Sequence, residues 1–146
     1  MSHDQLSNPA VAIAQRSLKL WNDNTHAPTN TSGGVTDDFT LEDRRSGGVN
    51  FGTIDASAWD DFLSSTWDVG AGQPRYSMPE IVAVRGQRCA AIVMLIEFDD
   101  DSQLGFLNCL RVDRALRRGE RMVTFDLDDR AAAIAELDRM HAEIDD

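Results

Sequence analysis

The run Cys89-Ala-Ala-Ile-Val-Met-Leu-Ile96 is apolar at every position. It is far short of the ~20 apolar residues that span a bilayer, and turn signals bound it: Gly86-Gln87 before, the acidic tip Asp99 to Gln103 after. Short, apolar and rich in β-branched residues, 88–98 reads as a strand. Cys89, Ala91, Val93 and Leu95 then face one way, and Ala90, Ile92, Met94, Ile96 and Phe98 the other. A strand with one wet face alternates polar and apolar residues. This one does not, so both faces of its sheet must be covered. Helices can cover one face. A second subunit is the simplest cover for the other, and a symmetric dimer is the commonest such arrangement. The alternative is a central strand wrapped by the chain's own termini.

Three neighbouring runs, about 76–85, 104–113 and 118–126, also read as strands. The links are Gly86-Gln87, Asp99 to Gln103 and Arg114 to Arg117. Links this short favour antiparallel hairpins over crossovers. Upstream, Asn8-Pro9 supplies an N-cap followed by proline at the first helical position. Ala10, Ile13, Ala14, Ser17, Leu20 and Trp21 recur at helical spacing, predicting an amphipathic helix over 9–22. A loop follows over 25–36. Phe39, Leu41, Asp43 and Arg45 alternate with Thr40, Glu42 and Arg44, the period of a half-buried strand. Val49 to Gly52 suits a second short strand. Asp55 or Ser57 can cap a helix that carries Trp59, Phe62, Leu63, Thr66 and Trp67 on one face and closes at Gly70 to Pro74. A last helix starts at Asp128 or Asp129, with Ala131, Ile134, Leu137, His141 and Ile144 along its inner face. The sum is α+β, with helices packed on one face of an antiparallel sheet. Residues 1–8 read as a frayed N-terminus, and 9–146 as a single domain.

Composition narrows the partners. With 146 residues the chain is one domain's worth, and its 25 acids against 14 bases leave a net charge of −11. That balance argues against nucleic acid, whose recognition needs a basic face, and against anionic membrane surfaces. Cys89 and Cys109 are the only cysteines. They have no zinc-type spacing and read as buried reduced thiols. MSHDQLSNPAVAIAQR lacks the basic and apolar regions of a signal peptide. The expected location is cytoplasmic.

Two segments carry a family likeness. Residues 118–138, RGERMVTFDLDDRAAAIAELD, resemble the end of actinobacterial members of the SnoaL-like, nuclear-transport-factor-2-like superfamily. There a final strand passes through a phenylalanine-aspartate turn, here Phe125-Asp126, into an alanine-rich helix, here with Ala133 to Asp138. LEDRRSGG at 41–48 is similar to the charged strand and glycine turn that such domains place before a helix. The resemblance implies a cone-shaped α+β barrel, a curved antiparallel sheet with helices on its concave face around a pocket, often dimeric through the sheet. It implies little about chemistry. Ketosteroid isomerase, scytalone dehydratase, limonene epoxide hydrolase, polyketide cyclases and members that only bind or assemble share this scaffold, so activity must be argued from the site.

Asp43 shares a strand face with Phe39 and Leu41. Pointing into an apolar cavity, its carboxylate would suit a general base; at the strand's end, it would instead sit in water or pair with Arg44 or Arg45. Arg45 lies on the same face, either orienting a water with Asp43 or forming a structural ion pair. Asn108 is the one polar member of the set Leu104, Phe106, Leu110 and Val112. A buried amide needs partners: a ligand carbonyl or hydroxyl, backbone, or water. Trp21, Trp59 and Trp67 either shape a pocket for flat apolar ligands or are simply core. Trp21 and Trp59, with Phe62 and Phe106, complete the expected binding residues. His141 and His26 have no nucleophile near them in sequence, and three histidines leave few ligands for a metal. The acidic run Glu97 to Asp101 lacks the glycine and spacing of a calcium loop. Gly47-Gly48, Gly70 and Gly72 make turns and no phosphate-binding fingerprint.

The leading expectation is therefore a pocket for a small apolar molecule, with no cofactor and no metal. One alternative is a cofactor-independent isomerase, dehydratase or hydrolase using Asp43 as base. Another is a non-catalytic dimerisation or regulatory module.

Overall fold

The computed structural model describes residues 6–23, 34–46, 52–62 and 74–145. The elements run α1 (Pro9–Asp23), β1 (Val35–Asp43), β2 (Thr53–Asp55), a 3-10 turn (Ala56–Ala58) continuing helically over 59–62, β3 (Arg75–Arg85), β4 (Cys89–Glu97), β5 (Gln103–Val112), β6 (Gly119–Phe125) and α2 (Arg130–Ala142). The expected short strand at 49–52 lies largely outside the described residues, and β2 follows at Thr53. His26, Leu63, Thr66 and Trp67 also lie outside them.

Six strands form one sheet in the order β2-β1-β6-β5-β4-β3. The hairpins from β3 to β6 pair antiparallel, as their short links require. The sheet is nonetheless mixed, because β1 pairs parallel with β6, Leu41 beside Met122 and Asp43 beside Thr124. The meander starts at the far edge and walks back, so its last strand arrives alongside the first in the same direction.

Asn8 fixes the first helix. Its Oδ1 accepts the N–H of Val11 at 3.0 Å, the N-cap bond that the sequence predicts. Its Nδ2 donates to the carbonyls of Gly86 (3.0 Å) and Cys89 (2.8 Å). One side chain thus both starts α1 and ties it to the β3–β4 turn. Ala10, Val11, Ile13, Ala14, Leu18 and Trp21 are buried, whereas Leu20 is 58% exposed. They pack with Ala90, Ile92, Met94 and Ile96 of β4 and Leu110 and Val112 of β5.

The opposite face of β4 is covered by α2. Cys89 and Ala91 join Leu107, Cys109, Val123 and Phe125 against Ala133, Leu137 and Met140. The cone-shaped α+β architecture holds, but its two long helices take opposite faces of the sheet. The apolar strand is therefore wrapped by its own chain, and its second face calls for no second subunit. The buried side of α2 is also rotated from the apolar stripe in its sequence: Ala131 is exposed and Glu136 is only 2% exposed. Arginines make that burial possible. Glu136 accepts from Arg44 Nη1 at 2.7 Å and from Arg139, and Arg121 Nη2 lies 3.6 Å away. Arg44 also donates to Glu42, which holds the Glu42 carboxyl below its usual range.

Both cysteines are free thiols at 0% exposure. Burial pushes the Cys109 thiol up to about 12, and its Sγ donates to the Ala133 carbonyl at 3.1 Å. Iodoacetamide at pH 8 is expected to leave both cysteines unlabelled in native protein and to modify both in denaturant. Rapid native labelling of Cys109 would mean that α2 is not seated as described. No helix among the described residues is long and apolar enough to cross a membrane.

Candidate functional site

The concave face carries a cavity whose walls come from five strands. Strand alternation dictates which side chains reach it. Met94 opposes Phe106, Ile96 opposes Leu104 and Asn108 opposes Thr124, with Met122 on the same side of β6. Leu41 and Asp43 extend the row onto β1. Trp21 from α1 and Trp59 and Phe62 from the turn after β2 close over it, with Tyr76 at the β3 side. The cavity itself has a volume of about 70 Å³ and is open to solvent on one side.

The aromatic wall is interlocked. Trp21 meets Tyr76 edge-on at 5.3 Å and Trp59 at 6.4 Å between centroids, and Phe62 stacks on Trp59 at 5.7 Å. Phe39 supports Trp59 from behind, edge-on at 5.0 Å. Tyr76 is placed through its backbone: Asn22 Oδ1 accepts its N–H and Asn22 Nδ2 donates to its carbonyl, both at 2.8 Å. Such rings present broad, rigid apolar faces.

Two polar groups interrupt this lining. The first is the pair Asp43 and Arg45, whose side chains are 1% and 7% exposed. Arg45 Nε donates to Asp43 Oδ1 at 2.9 Å, its Nη2 to Oδ2 at 2.8 Å, and its backbone N–H to Oδ1 at 3.1 Å. This is a fork-to-fork pair, the strongest geometry open to these groups. The guanidinium also stands over the Phe106 ring, 5.6 Å from its centroid. Strand alternation continues past β1 to make this contact, since residues 43 and 45 share a side.

The second is Asn108 with Thr124. Thr124 Oγ1 donates to Asn108 Oδ1 at 2.6 Å. Among the described residues no protein acceptor meets Asn108 Nδ2. The amide is thus held by its oxygen and offers its N–H groups to the cavity.

The structure brings Trp21, Asp43, Arg45, Trp59, Phe62, Phe106 and Asn108, all marked out by the sequence, around this one space. Sequence reasoning did not single out Tyr76 or Thr124. A signal for Thr124 exists: a hairpin centred on Leu116 sets residue 124 opposite residue 108. Tyr76 carries no comparable signal. His141 is remote from the cavity, in the last turn of α2.

Sheet, helices and concave cavity together define the fold of the SnoaL-like, nuclear-transport-factor-2-like proteins. Solved structures with this fold include Δ5-3-ketosteroid isomerase from Mycobacterium sp., at TM-score 0.58 and 17% identity over 84% of this chain and 96% of that one. A SnoaL-like family protein from Agrobacterium tumefaciens matches at TM-score 0.60 and 13% identity, over 80% and 96%. A Mycobacterium tuberculosis protein in complex with estradiol-17β-hemisuccinate matches at TM-score 0.58 and 17% identity, over 84% and 97%. No protein-family model and no curated protein matches the sequence.

Proposed function

We propose that the chain binds a small, flat, largely apolar molecule in the concave cavity, oriented by one hydrogen bond from Asn108 Nδ2 to a carbonyl or hydroxyl oxygen. The observation that carries this reading is a buried amide donor with no protein acceptor among the described residues, set in a largely apolar, aromatic-walled space. The M. tuberculosis neighbour was solved in complex with estradiol-17β-hemisuccinate.

Binding is favoured over proton transfer by the state of Asp43. A general base needs an oxygen directed at the substrate. Both Asp43 oxygens accept from Arg45, which makes the pair a rigid charged corner of the cavity rather than a poised base. Nor does the binding reading require a second subunit.

Tryptophan fluorescence tests the proposal. Titration with 9-fluorenone and with fluorene, which lacks the carbonyl, is expected to give saturable quenching for both. Asn108→Leu should weaken fluorenone binding by about 3- to 10-fold, the worth of one hydrogen bond, and leave fluorene unchanged. Absence of saturable quenching by either compound would sink the pocket. Equal losses for the two would remove Asn108 as the orienting group.

A further inference from the structure

A second cavity, of about 420 Å³ and open to solvent, lies between α1 and the sheet. It shares Trp21, Trp59, Met94, Asn108 and Met122 with the first, so the two are separated by side chains alone. Two of these are methionines, unbranched and adaptable, so the partition can yield to a ligand. Asn108 stands in it, within reach of a molecule on either side.

The far end of the second cavity is different in character. Arg16 of α1 and Arg117 of the β5–β6 hairpin line it. Arg16 Nη2 donates to the Arg117 backbone carbonyl at 3.2 Å, which brings the two residues together. Among the described residues, neither guanidinium has a carboxylate partner. Asp113, on the same hairpin, is already engaged: its Oδ1 accepts the backbone N–H of Arg117 at 2.9 Å and of Arg118 at 3.1 Å. In a chain with 25 acids and 14 bases, most arginines away from this hairpin are matched, as Arg75 is by Asp99, Arg85 by Asp138 and Arg130 by Glu80. Arg114 and Arg118 of the hairpin itself form no ion pair among the described residues. Two arginines without a carboxylate partner among the described residues give the end of this cavity a positive character, against the protein's overall charge.

We infer that the ligand is an elongated amphiphilic anion. Its flat apolar body occupies the aromatic chamber, its middle passes Asn108, and its acidic end, a carboxylate or an acid ester, is received by Arg16 and Arg117. This rests on the proposed binding function and adds the length and charge of what is bound. Arginine suits the task because its planar donors engage an oxyanion two at a time.

The test compares 1-pyrenebutanoate with 1-pyrenebutanol, two probes that share a flat body and tether and differ in the charge of the end group. At low salt the wild-type chain is expected to bind the acid at least 10-fold tighter than the alcohol, against the general repulsion of a −11 protein. The preference should fall as ionic strength rises. Arg16→Gln/Arg117→Gln should bind the alcohol as wild type does and the acid no tighter than the alcohol. Both positions are exposed, so the fold is not at stake. Equal affinity of the two probes for wild type would overturn the inference while leaving the apolar pocket standing. A preference that survives in the double variant would overturn it too, by placing the attraction elsewhere. Failure of both probes to bind would take away the pocket itself and the inference with it.

Discussion

Arg45→Met is expected to destabilise the protein by about 3–5 kcal/mol, because it leaves the Asp43 carboxylate, 1% exposed, without its counter-charge. Urea denaturation followed by tryptophan fluorescence measures this, read as a lower midpoint at unchanged slope. The companion variant Asp43→Leu/Arg45→Met should recover most of the loss. Replacing both members of a buried pair with apolar groups removes the desolvation cost along with the attraction. That contrast separates a buried charge pair from ordinary packing, where two truncations lose more than one. A single variant as stable as wild type would mean that water reaches Asp43.

The second large effect belongs to α2. Leu137 is 0% exposed and packs with Cys109, Val123 and Phe125 on the sheet face away from the cavity. Leu137→Ala should cost about 2–5 kcal/mol through lost burial and the void left behind. The variant should also make Cys109 reactive towards iodoacetamide under native conditions, since the carbonyl that receives its thiol belongs to the same helix. Loss of stability without new thiol reactivity would mean that α2 stays docked and that only packing was lost. Native reactivity without loss of stability would contradict the burial described for Leu137.

How legible this was in the sequence differs from element to element. Strands β3 to β6 and helix α1 announce themselves through alternation, short links and the Asn8-Pro9 start, and their observed bounds lie within a residue or two of those expected. The gathering of Asp43, Arg45, Phe106 and Asn108 on one side follows from strand alternation once the sheet is assembled. The parallel pairing of β1 with β6 was not legible, because nothing local records which distant strand a strand will meet. Nor was the face taken by α2. Its buried side includes Glu136, a residue that hydropathy assigns to solvent, and the arginines just after β1, in β6 and in its own next turn make that burial possible. With α2 unplaced, the apolar Cys89 to Ile96 strand called for a cover from outside the chain. With α2 in place, that cover is internal.

The pairing of β1 with β6 also bears on how the chain comes to its native state. Asp43 and Thr124 stand side by side in the sheet although most of the polypeptide separates them. Arg45 therefore meets its final surroundings only after Phe106 has been laid down in the meander. Contacts of such long range are slow to form, since the intervening loop must close before they contribute. During synthesis the N-terminal helix and first strand emerge long before the strands that complete the cavity walls. The cavity is consequently among the last features to appear, and until then the Cys89 to Ile96 run is the segment most exposed to self-association. A nascent chain halted before β6 holds most of the residues of the site but lacks the wall that Met122 and Thr124 supply.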